Sequence, residues 1–376
     1  MKASNPPDID HIHLPRSTDR QLNFSAGPAM LPEAVLREAQ ADLWSIADSG
    51  IGILEHSHRG PVFDEVLAEA ENACRDLAGI PDSHAVLFLQ GGATMQFAQI
   101  PMNFLPPGGV ADYADTGVWT SKAINEARRF GRVHVSFHGE RSGYDHTPAP
   151  DELEFAEDAA YFHYCSNNTV CGTQYPTIPE GPAPLVADMS SDIFSRPLDV
   201  AAHAFIYAGG QKNLGLAGTV LIIADRGFIE SGRSDLPTML SYRHHLERGS
   251  RLNTPPTFGV YLMGRMFRWI ADQGGLARFE AHNRAKAELL YEVIDGTDFY
   301  CGLARSACRS TMNITFRTPA EALDLRFLDA AEAEGFTGLK GHRSRGGLRA
   351  SVYNAFPIDG CHALAEFMRE FERRHG

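Results

Sequence analysis

Tyr207-Ala208-Gly209-Gly210-Gln211-Lys212-Asn213-Leu214-Gly215 is the stretch from which the rest of the chain can be read. The apolar segment Ala204-Phe205-Ile206-Tyr207 leads into it, and the β-rich run Gly218-Thr219-Val220-Leu221-Ile222-Ile223 leads out. The pattern predicts two strands joined by a glycine-laced turn, with Lys212 held between Gln211 and Asn213. Glycine lets backbone come close to whatever faces it. A lysine that presses against a flat ligand is served by such a frame, whereas a solvated loop lysine needs none. The stretch alone fits either description. Asp188, a carboxylate at the end of the buried strand Pro184-Leu185-Val186-Ala187-Asp188, tips the balance toward chemistry.

Further upstream the same grammar repeats. His84-Ala85-Val86-Leu87-Phe88-Leu89 reads as a short apolar strand, followed by Gln90-Gly91-Gly92-Ala93-Thr94-Met95 and a helical stretch. Strand, glycine turn and helix start make an anion site, because the first amides of a helix are unpaired and its dipole favours negative charge. An ordinary strand-to-helix connection uses glycines too. Ala160 to Cys165 is strand-like and leads to Asn167-Asn168-Thr169. The alternation of strands and helices predicts an α/β fold, a mostly parallel central sheet with helices on both faces. Ligands collect at the carboxyl ends of such strands, and Thr94, Thr169, Asp188 and Lys212 all fall there. Phe63 to Ala78 is a good amphipathic helix, with Phe63, Val66, Leu67, Ala70, Ala73 and Leu77 on one face.

At 376 residues the chain fits two domains. The expected division is a mobile tail over 1–20, a large domain over 21–275 and a smaller α+β domain over 276–376, which would hold Thr311 to Phe316 and a closing helix from Cys361 to Arg374. Apolar residues make up 43% of the chain, enough for a sizeable core. A formal charge of −13 argues against nucleic acid or an anionic membrane as partner. No apolar run reaches spanning length, and the N-terminal stretch has no signal-peptide h-region. Six scattered cysteines suit reduced thiols in the cytoplasm. Sixteen histidines are present, yet His56 and His58 are too close for a helical ligand pair, so no metal is expected.

Lys212 and Asp188 are two of the four things pyridoxal phosphate asks of a protein: an imine-forming lysine and an acid on the pyridinium nitrogen. The glycine turn would supply the third, a phosphate site, and Trp119 the fourth, a flat surface. A second constellation is cationic. His58-Arg59, His342-Arg343 and Arg349 stand in glycine-flanked loops of an acidic chain. Arginine grips carboxylate and phosphate with a planar fork, which suits a small dianion.

With these residues in place, the chain resembles the phosphoserine aminotransferase family, class V aminotransferases of fold-type I. The resemblance is carried by Asn23 to Pro32, Ser57-His58-Arg59-Gly60, Tyr207 to Asn213, Asn253 to Thr257, Gly341-His342-Arg343 and Gly346 to Ala355. It implies that Lys212 forms the Schiff base and shuttles the proton, that Asp188 meets the pyridinium, that Trp119 stacks on the ring and that Thr169 lies near its hydroxyl. The phosphate would be held by Ala93, Thr94 and Gln211, with Asn253 and Thr254 reaching in from the other subunit of a homodimer. Arg349 would meet the substrate carboxylate. His58, Arg59, His342 and Arg343 would surround the substrate phosphate or the side-chain carboxylate of glutamate. Where some members have Gly-Gly-Gly-Arg-Gly at the phosphate turn, this chain has Gly91-Gly92-Ala93-Thr94-Met95, without the arginine charge.

The implied activity is amino-group transfer from O-phospho-L-serine to 2-oxoglutarate, giving 3-phosphooxypyruvate and L-glutamate, in L-serine biosynthesis. Use of 4-phosphooxy-L-threonine in pyridoxine biosynthesis is a related expectation. The alternatives are another class V enzyme, such as an alanine–glyoxylate aminotransferase or a cysteine desulfurase, and a non-catalytic cofactor-binding protein.

Overall fold

The computed structural model describes Ile12 and residues 20–376. The expected tail, apart from Ile12 and Arg20, lies outside the described residues. The sheet that organises the chain has seven strands. They are β1 (His84–Gln90), β2 (Val110–Asp115), β3 (Arg132–His138), β4 (Ala159–Cys165), β5 (Leu185–Asp188), β6 (Phe205–Gly209) and β7 (Thr219–Asp225). Their order across the sheet is β1-β7-β6-β5-β4-β2-β3. The pairs β6–β5, β5–β4, β4–β2 and β2–β3 are parallel, as expected from the alternation of strands with helices. β7 runs against both neighbours, because the Lys212 loop is too short to be a crossover and turns the chain straight back.

The strands are apolar on both faces, and the period of two sorts them cleanly. Val86 and Phe88 of β1, with Ile206, Ala208, Leu221 and Ile223, face one side. There they meet Phe63, Val66 and Leu67 of helix α1 (Pro61–Ala78) and Met263, Met266 and Phe267 of α4 (Thr257–Asp272). Ala85, Leu87 and Leu89, with Phe205, Tyr207, Val220 and Ile222, face the other side. Phe97, Ile100 and Phe104 of α2 (Gly92–Phe104) and Ala123 and Ile124 of α3 (Val118–Ala127) cover them. Among the described residues no helix is long and apolar enough to cross a membrane.

A second core gathers around a three-stranded sheet of β8 (Cys301–Gly302), β9 (Asn313–Arg317) and β10 (Leu348–Ser351). It is covered by the end of α5 (Gly275–Asp295), by α6 (Glu321–Ala333) and by α7 (Ile358–His375). Leu22, Phe24 and Met30 also belong to this core, far from it in sequence. Leu22–Asn23 pairs in parallel with Phe336–Thr337. From Leu22 the chain therefore runs out of the second core to the rim of the first, which carries Ala26, Gly27 and Pro28 to the strand ends where a ligand would sit.

Candidate active site

At the carboxyl ends of β1, β5 and β6 lies a cavity of about 450 Å³. Its walls include Gly91 to Thr94, Trp119, Thr169, Asp188, Gln211 and Lys212, with His342 and Arg349 from the second core. Residues more than 250 positions apart in the sequence meet here because both cores close over the same strand ends.

Lys212 hangs from a loop that is rigid for internal reasons. A Cβ on Gly210 would lie 2.5 Å from the Leu216 carbonyl oxygen, so the glycine lets the loop close on itself. The next residue, Asn213, is fully built in: its amide donates to Ile193 O at 2.7 Å, and its Oδ1 accepts from Asn354 N at 3.0 Å. Lys212 Nζ stands 5.6 Å from the centre of the Trp119 ring. Burial pulls its ammonium below the ordinary lysine range, Asp188 and Cys165 oppose that shift, and Arg349 reinforces it.

Asp188 is 5% exposed. Its Oδ1 accepts from Ser190 N at 2.9 Å and from Ser190 Oγ at 2.6 Å. The Ser190 hydroxyl accepts in turn from Gly209 N at 3.1 Å, tying the end of β5 to the end of β6. Ser190 has no role in the sequence reading, although an acceptor two residues before a serine is a turn signal that could have found it.

The glycine turn between β1 and α2 has the expected strand-to-helix form. Gly91 caps α2 at φ +91°, a conformation that strains any residue with a Cβ, and no side chain caps the first amides. The helix has no acid in its first turn, so its open N–H groups face the cavity with nothing to compete against an anion. Trp119 is fixed at its edge, where Nε1 donates to Thr169 Oγ1 at 3.1 Å. Lys122, unremarked in the sequence, sits 4.6 Å over the same ring.

The cations divide. Arg349 Nη1 donates to Thr169 O at 2.8 Å, while Arg349 Nε is buried with no partner. A buried guanidinium N–H without an acceptor is costly. Burial also holds Arg349 below the usual arginine range. His342 is pulled down by burial and then by Arg349, Arg343 and Lys122. Arg343 and Arg59 are exposed, and neither they nor His58 line the cavity of their own chain. Asn253 and Thr254 also lie outside it, held at its edge by Gln90, whose amide donates to Asn253 Oδ1 at 2.9 Å and Thr254 O at 3.2 Å.

An amine and a carboxylate along one slot, an aromatic wall, a helix start and an orphaned guanidinium N–H fit pyridoxal phosphate with a carboxylate substrate. Arg349→Ala should raise the KM of the carboxylate substrate by about thirty- to a hundredfold, since a charged hydrogen bond is worth ~2–3 kcal/mol. Steady-state kinetics with kcat and KM separated check this.

A family model described as aminotransferase class-V matches residues 21–364. The phosphoserine aminotransferase of Pseudomonas aeruginosa is 50% identical over 358 residues, 95% of this chain and 99% of that protein. The structure of phosphoserine aminotransferase from Bacillus circulans subsp. alkalophilus superposes with a TM-score of 0.94 at 46% identity, covering 96% of this chain and 100% of that one. A pyridoxal-phosphate-bound phosphoserine aminotransferase from Trichomonas vaginalis gives 0.88 at 36% identity, covering 93% and 100%. On this evidence the chain belongs to the phosphoserine aminotransferase family of class-V, pyridoxal-phosphate-dependent aminotransferases.

Proposed function

We propose that the protein is a phosphoserine transaminase: O-phospho-L-serine and 2-oxoglutarate give 3-phosphooxypyruvate and L-glutamate. The observation that carries this reading is the pairing of Lys212 with Asp188 in one cavity beneath the unpartnered Nε of Arg349. Pyridoxal phosphate, when bound, supplies an electron-withdrawing ring that takes up the electron pair released at the amino acid's α-carbon. Ala93, Thr94 and the first amides of α2 would hold its phosphate, together with Gln211. Trp119 lies on one face of the slot, and Thr169 fixes the edge of that indole. Asp188, held by Ser190, would meet the ring nitrogen and keep it protonated. Arg349 takes the substrate carboxylate and orients the α-carbon hydrogen toward Lys212. The Lys212 amine, kept below the usual lysine range by burial, takes that proton from the α-carbon and returns it on the other side of the transfer. His342, in the cavity wall, receives the substrate's second negative group, with Arg343 at the solvent side beside it.

The remaining site residues, His58, Arg59, Asn253 and Thr254, reach the cavity of a second copy in a homodimer. Large apolar side chains left in water shortly before the His58-Arg59 loop in sequence support this, with Trp44 86% exposed and Leu54 60% exposed. Exposed large apolar side chains that come together mark an interaction site. Trp44→Glu should weaken the dimer by roughly thirtyfold or more, from ~2 kcal/mol lost at an interface tryptophan. Sedimentation equilibrium across a protein dilution series reads this directly.

The unpaired cysteines suit a reducing cytoplasm. 4-Phosphooxy-L-threonine, which carries the same phosphate, is a second substrate, giving a role in pyridoxine biosynthesis. In domain terms the reading assigns 21–275 to cofactor binding and 276–376 to closing over the substrate, with Leu22–Met30 packed on the latter.

The test is amino-group transfer from O-phospho-L-serine, with L-alanine and L-cysteine as controls. Preference for alanine or cysteine over the phosphorylated donor would overturn the substrate assignment.

A further inference from the structure

Arg349 and the Lys212 loop are joined by a short piece of chain, Val352 to Phe356. Arg349 lies three residues before it, at the cavity. Asn354 N donates to Asn213 Oδ1 at 3.0 Å, next to Lys212. Tyr353 OH donates at 2.8 Å to Ala26 O, in the cavity wall. Whatever fixes this turn therefore fixes two parts of the site together.

The turn is gripped from behind by one face of α5. Lys286 is 0% exposed, and its Nζ donates to Val352 O at 2.9 Å, Tyr353 O at 2.7 Å and Phe356 O at 3.2 Å. Asn283, one helical turn earlier and 1% exposed, donates to Asn354 Oδ1 at 2.8 Å and Ser195 O at 3.0 Å. Residues three apart on a helix share a face, so the two side chains form one clamp.

Lys286 has no carboxylate partner among the described residues. An ammonium taken out of water without a counter-ion is costly. Burial drags Lys286 down to about 7, and Cys361 is the single opposing influence. An apolar side chain would fill the space at less cost. What the lysine adds is three donors that converge on carbonyls at fixed points of one turn.

We propose that Asn283 and Lys286 are positioning residues, which set Arg349 and the Lys212 loop by clamping Val352–Phe356. This rests on the proposed reading of the cavity as a carboxylate-binding transaminase site. Neither residue touches substrate or cofactor.

The experiment compares Lys286→Met and Asn283→Ala with the wild-type holoenzyme. Binding of glutarate, a dicarboxylate that cannot react, is followed through the cofactor's visible absorbance. KM and kcat for O-phospho-L-serine and 2-oxoglutarate are measured beside it, and thermal unfolding is recorded. A glutarate dissociation constant and KM values raised by about tenfold are expected in both variants, with kcat lowered by about tenfold because the Lys212 loop loses the same anchor. A merely structural role would lower the unfolding temperature and leave the glutarate constant unchanged. An unchanged constant in either folded variant overturns the proposal; if Lys286→Met fails to fold, Asn283→Ala decides it. Should the wild type bind glutarate but not transaminate phosphoserine, the substrate assignment fails while the clamp is still tested by the glutarate constants.

Discussion

Lys212→Ala is expected to lower the turnover of phosphoserine by about 10⁴-fold or more, since acid–base catalysis at one position is worth ~10²–10⁴ and the covalent role is lost with it. The fold should survive. The Lys212 loop is held by Asn213, by the tight turn at Gly210 and by Gly210 N donating to Thr219 O at 2.9 Å, none of which involves the lysine side chain. Removing an ammonium that burial disfavours also relieves a desolvation cost. The variant should therefore unfold at or above the wild-type temperature while being inactive. Single-turnover kinetics beside a thermal scan separate the two outcomes, and full activity would end the assignment of Lys212. An added primary amine of low molecular mass should restore a small part of the rate, because what is missing is a proton carrier of that chemistry.

Asp188→Asn is expected to lower kcat by about 10²–10³-fold, the usual loss when one preorganised electrostatic partner is removed from a buried site. The change is close to isosteric. The amide oxygen of asparagine still accepts from Ser190 N and Ser190 Oγ, so the bridge from β5 to β6 stays. What goes is the negative charge. That charge is the largest influence holding the Lys212 ammonium up against burial. The sign follows: without it the lysine gives up its proton at a lower pH than in the wild type. In enzyme stripped of cofactor, a pH titration of Lys212 acylation by a small amine reagent reads the shift. A shift upward, or none, would show that Asp188 and Lys212 do not share the electrostatics described here.

The two ends of the site were unequally legible. Lys212 and Asp188 were readable because strand periodicity puts chain positions at strand ends, and in a parallel sheet those ends converge. The glycine turn after β1 was readable for the same reason, since Gly91 and the start of α2 form a local signal. The antiparallel course of β7 was less so, because an apolar run has the same appearance in either direction. Ser190 was passed over as a neighbour of Asp188. Its role depends on Gly209 N lying across the sheet, a contact between strands that periodicity does not reveal. The grip of Lys286 on Val352 to Phe356 was likewise invisible, for its lysine reads as an ordinary polar position within a long helix.

The cations show the limit most plainly. His58, Arg59, Arg343 and Arg349 have the same composition in sequence, a charge in a glycine-flanked loop. Only packing separates them: Arg349 is drawn between Thr169 and the second core and left with a free N–H, while Arg59 and Arg343 stay in solvent. By itself the sequence determined the α/β sheet, the strand ends at which chemistry gathers and the residue types that perform it, because these follow from local periodicity and side-chain chemistry. The tertiary structure alone decided which charges lose their water, which glycine closes a loop, and that residues 22–30 fold onto the C-terminal core to wall the cavity. Those depend on contacts across hundreds of residues, where burial rather than pattern sets the energy.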